Sequence, residues 1–276
     1  MLDLITGTHD LSRRAKLYRL HGLSFREYLN FSLNIHLPQI PFQEMLQDTK
    51  SSLNKLQDVR RILTHFETYL KQGYYPFIFE DPHSYYEKIS SIIDKTIFED
   101  IANFYTLKTT NLQSFKKILT YQASIPPGDL NAHNLSKNLG MDYKTVEHYL
   151  MILANVGLIR AMRLYEGGSS GLRKPSKILL NNTNIMHTMQ QYLGGPVSKG
   201  TERELFFIQS MQNAGIDLYY SKQADYRTRE VIFEIGGKNK TRQQLKEVTL
   251  PAYLVKDDIL TPLKGEIPLF LFGFLY

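Results

Sequence analysis

The stretch AHNLSKNLGMDYKTVEHYLMILAN, residues 132–155, decides the fold of the middle of this chain. Its apolar spacing predicts helices over 132–139 and 142–155, with Gly140 in the tight turn between them, which is the spacing of a helix-turn-helix. A further helix over 113–122 precedes this pair. Predicted strands at 158–165 and 177–180 follow it and are joined by the run GGSSG at 167–171. Three helices followed by a hairpin predict a winged helix-turn-helix.

The regions on either side of this motif have different patterns. Helical spacing over 42–72 and 85–104 predicts an all-α region, and Ser24 followed three residues later by Glu27 predicts a capping box that starts a short helix. C-terminal to the motif, a helix at 201–213, strands at 218–221 and 230–235, a helix from about 241 and strands at 253–255 and 268–274 predict a small α/β unit. We therefore predict an α+β, multi-domain chain with a helical middle, divided into units 1–38, 39–110, 111–195 and 196–276.

Composition narrows the possible functions only modestly. The 276 residues carry a net charge of +6, an excess that supports contact with nucleic acid or another acidic surface without requiring it. The absence of cysteine excludes disulfides, thiolate zinc sites and cysteine nucleophiles. The longest apolar runs are about ten residues, well below the roughly 20 that span a bilayer. We therefore expect no membrane partner and a cytoplasmic protein.

Several runs together resemble a known family. They are LITGT at 4–8, DLSRRA at 10–15, GLSFREYL at 22–29 and FEIGGKNKT at 233–241. The chain resembles, over essentially its whole length, the part that follows the Walker motifs in a group of prokaryotic AAA-type (P-loop) ATPases. In that group the ATPase core is followed by a domain of unknown function that contains a winged helix and a restriction-endonuclease-like end. The resemblance implies that 1–38 is the incomplete end of an ATPase core, 39–110 a helical lid-like region and 196–276 a restriction-endonuclease-like α/β domain.

The phosphate-binding loop of such an ATPase is missing from the sequence. No Gly-Lys-Ser or Gly-Lys-Thr occurs in the chain, and these residues hold the phosphates and magnesium in a P-loop. The resemblance places Thr8 near the γ-phosphate and makes Arg13 or Arg14 an arginine that reaches phosphate, with plain surface arginines as the alternative. The complete family uses ATP and magnesium, whereas we expect no cofactor and no ATP hydrolysis for this chain, which we interpret as a truncated member.

The predicted winged helix offers a set of residues for nucleic acid. Basic and amide side chains suit phosphates and base edges. The outward residues of the second helix and the wing that qualify are Lys144, Thr145, His148, Arg173, Lys174 and Lys177. Asp142 and Glu147 on the same helix oppose phosphate. Two uses therefore stay open, double-stranded DNA binding and a rigid connector that docks another protein.

The predicted nuclease-like domain has the acids of a metal-dependent nuclease but not the usual lysine. Such a site needs carboxylates for a divalent cation and a lysine on the same face of the strand, in the pattern Glu-x-Lys. The acids are Glu204, Asp225 and Glu234, and Lys238 comes two residues late because Gly236 occupies the lysine position. Magnesium would be the cofactor if the site is active. The alternative is a scaffold in which Glu234 and Lys238 form an ion pair. The eight histidines are scattered and suggest no firm metal site.

These observations lead to one principal functional hypothesis and one alternative. The principal hypothesis is a truncated AAA-type ATPase-family protein that acts as a non-catalytic DNA- or protein-binding module. The alternative is a metal-dependent nuclease that acts on DNA through the C-terminal domain.

Overall fold

The computed structural model describes residues 20–105, 107, 109–125, 132–165 and 177–276. This part of the chain is an α+β protein with eleven α-helices, a two-stranded hairpin and a five-stranded mixed sheet. Thr8, Arg13, Arg14, Arg173 and Lys174 lie outside the described residues.

The N-terminal half is helical, as the sequence predicts. Its helices are α1 (Phe25–Leu33), α2 (Phe42–Gln47), α3 (Thr49–Asn54), α4 (Ile62–Gln72), α5 (Tyr85–Lys95) and α6 (Ala102–Tyr105), with a π-helical turn at Thr96–Ile101 between the last two. The capping box at the start of α1 is confirmed, because the Ser24 hydroxyl accepts from the Glu27 amide and the Glu27 carboxylate accepts from the Ser24 amide.

The single helical pattern over 42–72 is divided into three helices. Asp48 ends α2 and caps α3, with its carboxylate accepting a hydrogen bond from the Ser51 amide at 2.9 Å. Arg61 precedes α4 with a left-handed φ of 54°, which turns the chain between α3 and α4. Apolar spacing alone does not predict these breaks, because apolar residues recur at helical spacing on both sides of each break.

The middle of the chain consists of three helices followed by a hairpin. They are α7 (Thr109–Ser124), α8 (Ala132–Leu139) and α9 (Tyr143–Asn155), followed by antiparallel strands β1 (Ile159–Met162) and β2 (Lys177–Leu180). Gly140 has a φ of 62°, so the turn between α8 and α9 uses a conformation that favours glycine. The Asp142 carboxylate caps α9 by accepting from the Thr145 amide at 3.0 Å.

The C-terminal part consists of two helices followed by the five-stranded sheet. Helices α10 (Thr183–Leu193) and α11 (Lys199–Asn213) lead into strands β3 (Tyr219–Tyr220), β4 (Tyr226–Arg227), β5 (Ile232–Gly236), β6 (Ala252–Lys256) and β7 (Glu266–Pro268). The strand order is β3-β4-β5-β6-β7, with β3, β4 and β5 antiparallel and β5, β6 and β7 parallel. The crossover from β5 to β6 contains a 3₁₀ turn, Arg242–Leu245, where the sequence predicted a helix.

The end of the chain also differs from its predicted strand. Residues Leu269–Phe274 form a 3₁₀ helix whose side chains are all buried. A short apolar run that is buried on every side has no period that distinguishes a strand from a helix. This segment packs on α1, where Phe25 lies against Phe274 with 5.7 Å between ring centroids. The larger cluster of buried apolar residues extends from Phe25 to Leu275, and a small second cluster consists of Ile232, Leu245 and Leu254.

Among the described helices, none is both long and apolar enough to cross a membrane.

Candidate acid-lysine site at the end of the central strand

The central strand β5 carries a buried glutamate. Glu234 is only 1% exposed. The strand lies between β4 and β6, and its residues Ile232, Phe233 and Ile235 are also buried. Neither carboxylate oxygen of Glu234 receives a hydrogen bond from any residue that the structure describes. A buried carboxylate without donors is costly, so this position requires a compensating charge.

Lys240 provides that charge and occupies the place of a missing side chain. Its Nζ lies 2.6 Å from Glu234 Oε1, an ion pair whose angles fall outside those of a hydrogen bond. The stem of Lys240 covers Gly236, since a Cβ built on Gly236 would lie 2.5 Å from Cβ and Cγ of Lys240. The lysine expected at position 236 is therefore replaced in space by a lysine four residues later, after the chain turns back at Gly237, whose carbonyl accepts from the Lys240 amide.

Lys238, the lysine that the sequence pattern favoured, lies elsewhere. It is exposed, and Glu234 forms its ion pair with Lys240 instead. Alternation along a strand predicted that residue 238 shares a face with Glu234, but the strand ends at Gly236 and alternation ends with it.

Asp225 lies next to Glu234 in the site. It directly precedes β4, and its Oδ2 accepts a hydrogen bond of 2.7 Å from the Ile235 amide on β5. The pKa of Asp225 is raised to about 6. Burial is the main cause and the carboxylates of Glu234 and Glu204 contribute, whereas the Ile235 amide and Lys240 act in the opposite direction. Three acids from three elements therefore converge closely enough to influence one another.

Glu204 contributes the third acid from helix α11. Its Oε2 accepts a hydrogen bond of 2.5 Å from the Tyr226 hydroxyl and lies 2.6 Å from Lys177 Nζ. Burial, followed by the charge of Glu204, raises the pKa of Tyr226, so this hydroxyl keeps its proton and acts as donor. The structure thus brings Glu204, Asp225 and Glu234 together.

The site suits a hard divalent cation in its chemistry but is not a preformed cage. In the described part of the chain, no group of three or more acids or histidines is spaced to hold a metal ion. Magnesium is commonly bound by one or two carboxylates and completes its shell with water, so two carboxylates are sufficient. Such a cation would give the Glu234 oxygens, which accept no hydrogen bond, a partner. It would also reduce the repulsion between the carboxylates of Glu234 and Asp225.

The predicted nucleic-acid residues fall into two groups. On α9, Lys144 and His148 are exposed, and Thr145 is half-buried beside the capping carboxylate of Asp142. Lys177 on β2 is buried with its ammonium on Glu204, so it belongs to the acid site rather than to an outer surface. Sequence reasoning placed it on the wing because it stands in a basic run, 173–177, and only the tertiary structure shows where its side chain points.

Comparison with known proteins finds one domain family and one protein, and neither description states a function. Residues 63–194 match a domain of unknown function, DUF8612. The chain is also 24% identical over 260 residues to an uncharacterized protein, MJ1637, of the archaeon Methanocaldococcus jannaschii. That match covers 87% of this chain and 55% of the relative, so the chain spans about half the length of the curated relative it matches. No solved structure matches. Neither description mentions an ATPase, so the AAA-type assignment stays a prediction.

Proposed function

We propose that residues 196–276 form a restriction-endonuclease-like unit that hydrolyses phosphodiester bonds of DNA with a divalent cation. The carrying observation is the Lys240 stem over Gly236, with its ammonium 2.6 Å from Glu234. This contact supplies the lysine whose absence from position 236 argued against a nuclease. The order of helix, three antiparallel strands, crossover and two parallel strands supports the same proposal.

In this proposal each residue has a separate chemical task. Asp225 and Glu234 would hold the cation, and a bound Mg²⁺ or Mn²⁺ would supply Lewis acidity and a more acidic water. Lys240 places a positive charge beside Glu234, where it can orient the attacking water or the phosphate. The Ile235 amide fixes Asp225 through its hydrogen bond. Hydrolysis adds water across one bond between phosphorus and a sugar oxygen and consumes no other reagent.

Plasmid cleavage with matched lysine variants tests the proposal. We expect nicking of supercoiled DNA with Mn²⁺ or Mg²⁺, none with EDTA, and loss of nicking in Glu234→Ala. Lys240→Met should lower the rate by about 10²-fold, the usual scale for losing one charged group aimed at the reacting atoms. The matched control Lys238→Met removes the same charge from an exposed position and should cleave like the wild type. Full activity in Glu234→Ala, or equal losses in both lysine variants, would contradict the proposal.

A second candidate is the non-catalytic module. It is favoured by one observation, that Lys240 already neutralises Glu234 in a site without a preformed metal cluster. In this alternative the three helices and hairpin of 109–180 act as a winged helix that contacts duplex DNA or another protein, and the acids serve as a scaffold. A wild-type protein that binds DNA but neither binds Mn²⁺ nor nicks DNA would favour this candidate.

At the level of the whole protein, we propose that the chain belongs to an AAA-type ATPase-family protein. The support is the resemblance at 4–8, 10–15 and 22–29. In this proposal the DNA-binding and nuclease-like units are the effector end of the ATPase.

A further inference from the structure

The hairpin β1–β2 is joined directly to the sheet that carries the acids. Beyond β1, the Tyr165 amide donates to the Tyr220 carbonyl at 3.0 Å and the Tyr220 amide donates to the Arg163 carbonyl at 2.9 Å. Residues 163–165 therefore extend the edge of the five-stranded sheet at β3. The Arg227 guanidinium also stacks on the Tyr165 ring at 3.7 Å. These contacts set the position of the hairpin relative to the sheet.

Side chains at the base of the hairpin make the same connection through polar contacts. Arg160 on β1 turns inward and donates to the side chains of Gln212 at 3.0 Å and Asn213 at 2.8 Å, both at the end of α11. Its Nε also donates to the Asn181 carbonyl at 2.5 Å. The hairpin is thus held against α11, the helix that carries Glu204.

Lys177 uses this position to enter the acid site. Its side chain is 6% exposed, and its Nζ lies 2.6 Å from Glu204 Oε2. The same Nζ lies 5.0 Å from the centre of the Tyr226 ring and 5.4 Å from that of Tyr220. Because Tyr226 directly follows Asp225, the lysine and the glutamate both contact the residue next to a proposed cation ligand.

We infer that Lys177 is a positioning residue for the acid site. It reaches from the hairpin to Glu204 and holds this carboxylate in place beside Asp225 and Tyr226. This inference rests on the proposed nuclease function. Without Lys177, Glu204 would keep one hydrogen-bond donor for a largely buried carboxylate, a state in which breaking the pair is strongly unfavourable. Glu204 would then be free to rotate away from the Tyr226 hydroxyl, and Asp225 would lose a neighbour held in a fixed position.

The test separates a positioning role from a DNA contact. Lys177→Met is expected to lower kcat for plasmid nicking, and Mn²⁺ affinity, by about 10–100-fold, the scale for partners of metal ligands. The KM for DNA should stay unchanged, because Lys177 is buried. Lys177→Arg keeps the charge and should recover most of the activity. A higher KM with unchanged kcat in Lys177→Met, or wild-type kcat in that variant, would overturn the inference.

A double variant keeps the test valid if Lys177→Met folds poorly. Lys177→Met with Glu204→Gln removes both buried charges, so it should regain thermal stability relative to the single variant while nicking stays low. A double variant that nicks like the wild type would reduce the pair to a structural role and overturn the inference. If the wild type neither binds Mn²⁺ nor nicks DNA, the proposed function itself fails. If the wild type and Lys177→Met nick DNA at the same rate, only the positioning role of Lys177 is contradicted.

Discussion

The two acids Asp225 and Glu234 show how neighbouring groups affect the ionisation of a buried carboxyl group. Asp225 and Glu234 are adjacent acids with different environments, since Asp225 accepts the Ile235 amide and Glu234 has only the Lys240 ammonium. The pKa of Asp225, raised to about 6, means that its charged form is disfavoured by burial and by the two neighbouring glutamates. Stability should therefore depend on pH through this residue.

Asp225→Asn is expected to stabilise the metal-free protein above pH 6. Because the folded-state pKa exceeds that of the unfolded chain, the folded state binds the additional proton, and stability is lost as pH rises from about 4 to about 6. Asparagine removes this penalty and can still accept the Ile235 amide. The gain at pH 8 should be about 1–3 kcal/mol, allowing for the partial exposure of the side chain.

Urea unfolding of wild type and Asp225→Asn at pH 4 and pH 8 measures this difference. A gain of equal size at both pH values would contradict the electrostatic cause. Added Mn²⁺ should reverse the order at pH 8 if Asp225 is a cation ligand, because only the wild type then gains binding free energy.

Elements decide which basic residues can reach a nucleic acid. Helix α9 presents Lys144 and His148 outward in its first two turns, but Glu147 accepts a hydrogen bond of 2.6 Å from the Tyr143 hydroxyl on the same helix. An acidic side chain in this place favours contact with the DNA backbone at few points over extensive base reading. The duplex-binding hypothesis therefore predicts that replacing one lysine lowers the affinity for DNA only slightly.

Lys144→Glu is expected to weaken binding to duplexes of any sequence to the same extent. A lost phosphate contact lowers the slope of log K against log salt by about one. The control is Lys50→Glu, which makes the same charge change at an exposed position on α3. Fluorescence anisotropy at several salt concentrations provides the measurement. Equal weakening by both variants would indicate a general charge effect and would favour the connector role for α9.

At the scale of the whole molecule, the two ends of the described chain share one core. Phe25 at the start of α1 is fully buried and meets Phe66, Tyr69 and Phe274, with ring centroids 5.2–5.7 Å apart. A Cβ added to Gly273 would lie 2.4 Å from the Cβ of Phe25, so the last 3₁₀ helix lies directly on α1. The helical region and the α/β unit therefore depend on each other for burial.

Phe25→Ala is expected to cost about 3–5 kcal/mol, the usual range for truncating a fully buried phenylalanine. Since Phe25 contacts both ends of the chain, heat should unfold helices and sheet together in one transition at a lower temperature. The control is Phe31→Ala on the same helix, where 67% exposure predicts a change within about 0.5 kcal/mol. Circular dichroism and calorimetry compare the two. Separate transitions for helices and sheet would contradict the shared core.

Local signals in the sequence determined the individual elements of this protein. The capping box of Ser24 and Glu27, the turn at Gly140 and the order of helices and strands in the middle part could be predicted, because each depends on residues a few positions apart. The positions of Glu204 on a helix and Glu234 on a strand followed in the same way, whereas the two-residue strand β4 that follows Asp225 was not predicted. Short buried segments such as Leu269–Phe274 could not be assigned, because their apolar residues have no distinguishing period.

Only the tertiary structure decided which charges meet. Lys240 reaches back over Gly236 to Glu234, Lys177 crosses from the hairpin to Glu204, and Arg160 turns from the hairpin into α11. Such pairs join residues from 6 to 53 positions apart, a separation set by how the chain turns and packs rather than by any periodicity. A long side chain can place its charge several ångströms from its own Cα, so sequence spacing identified the acids of the site, whereas packing selected their lysines.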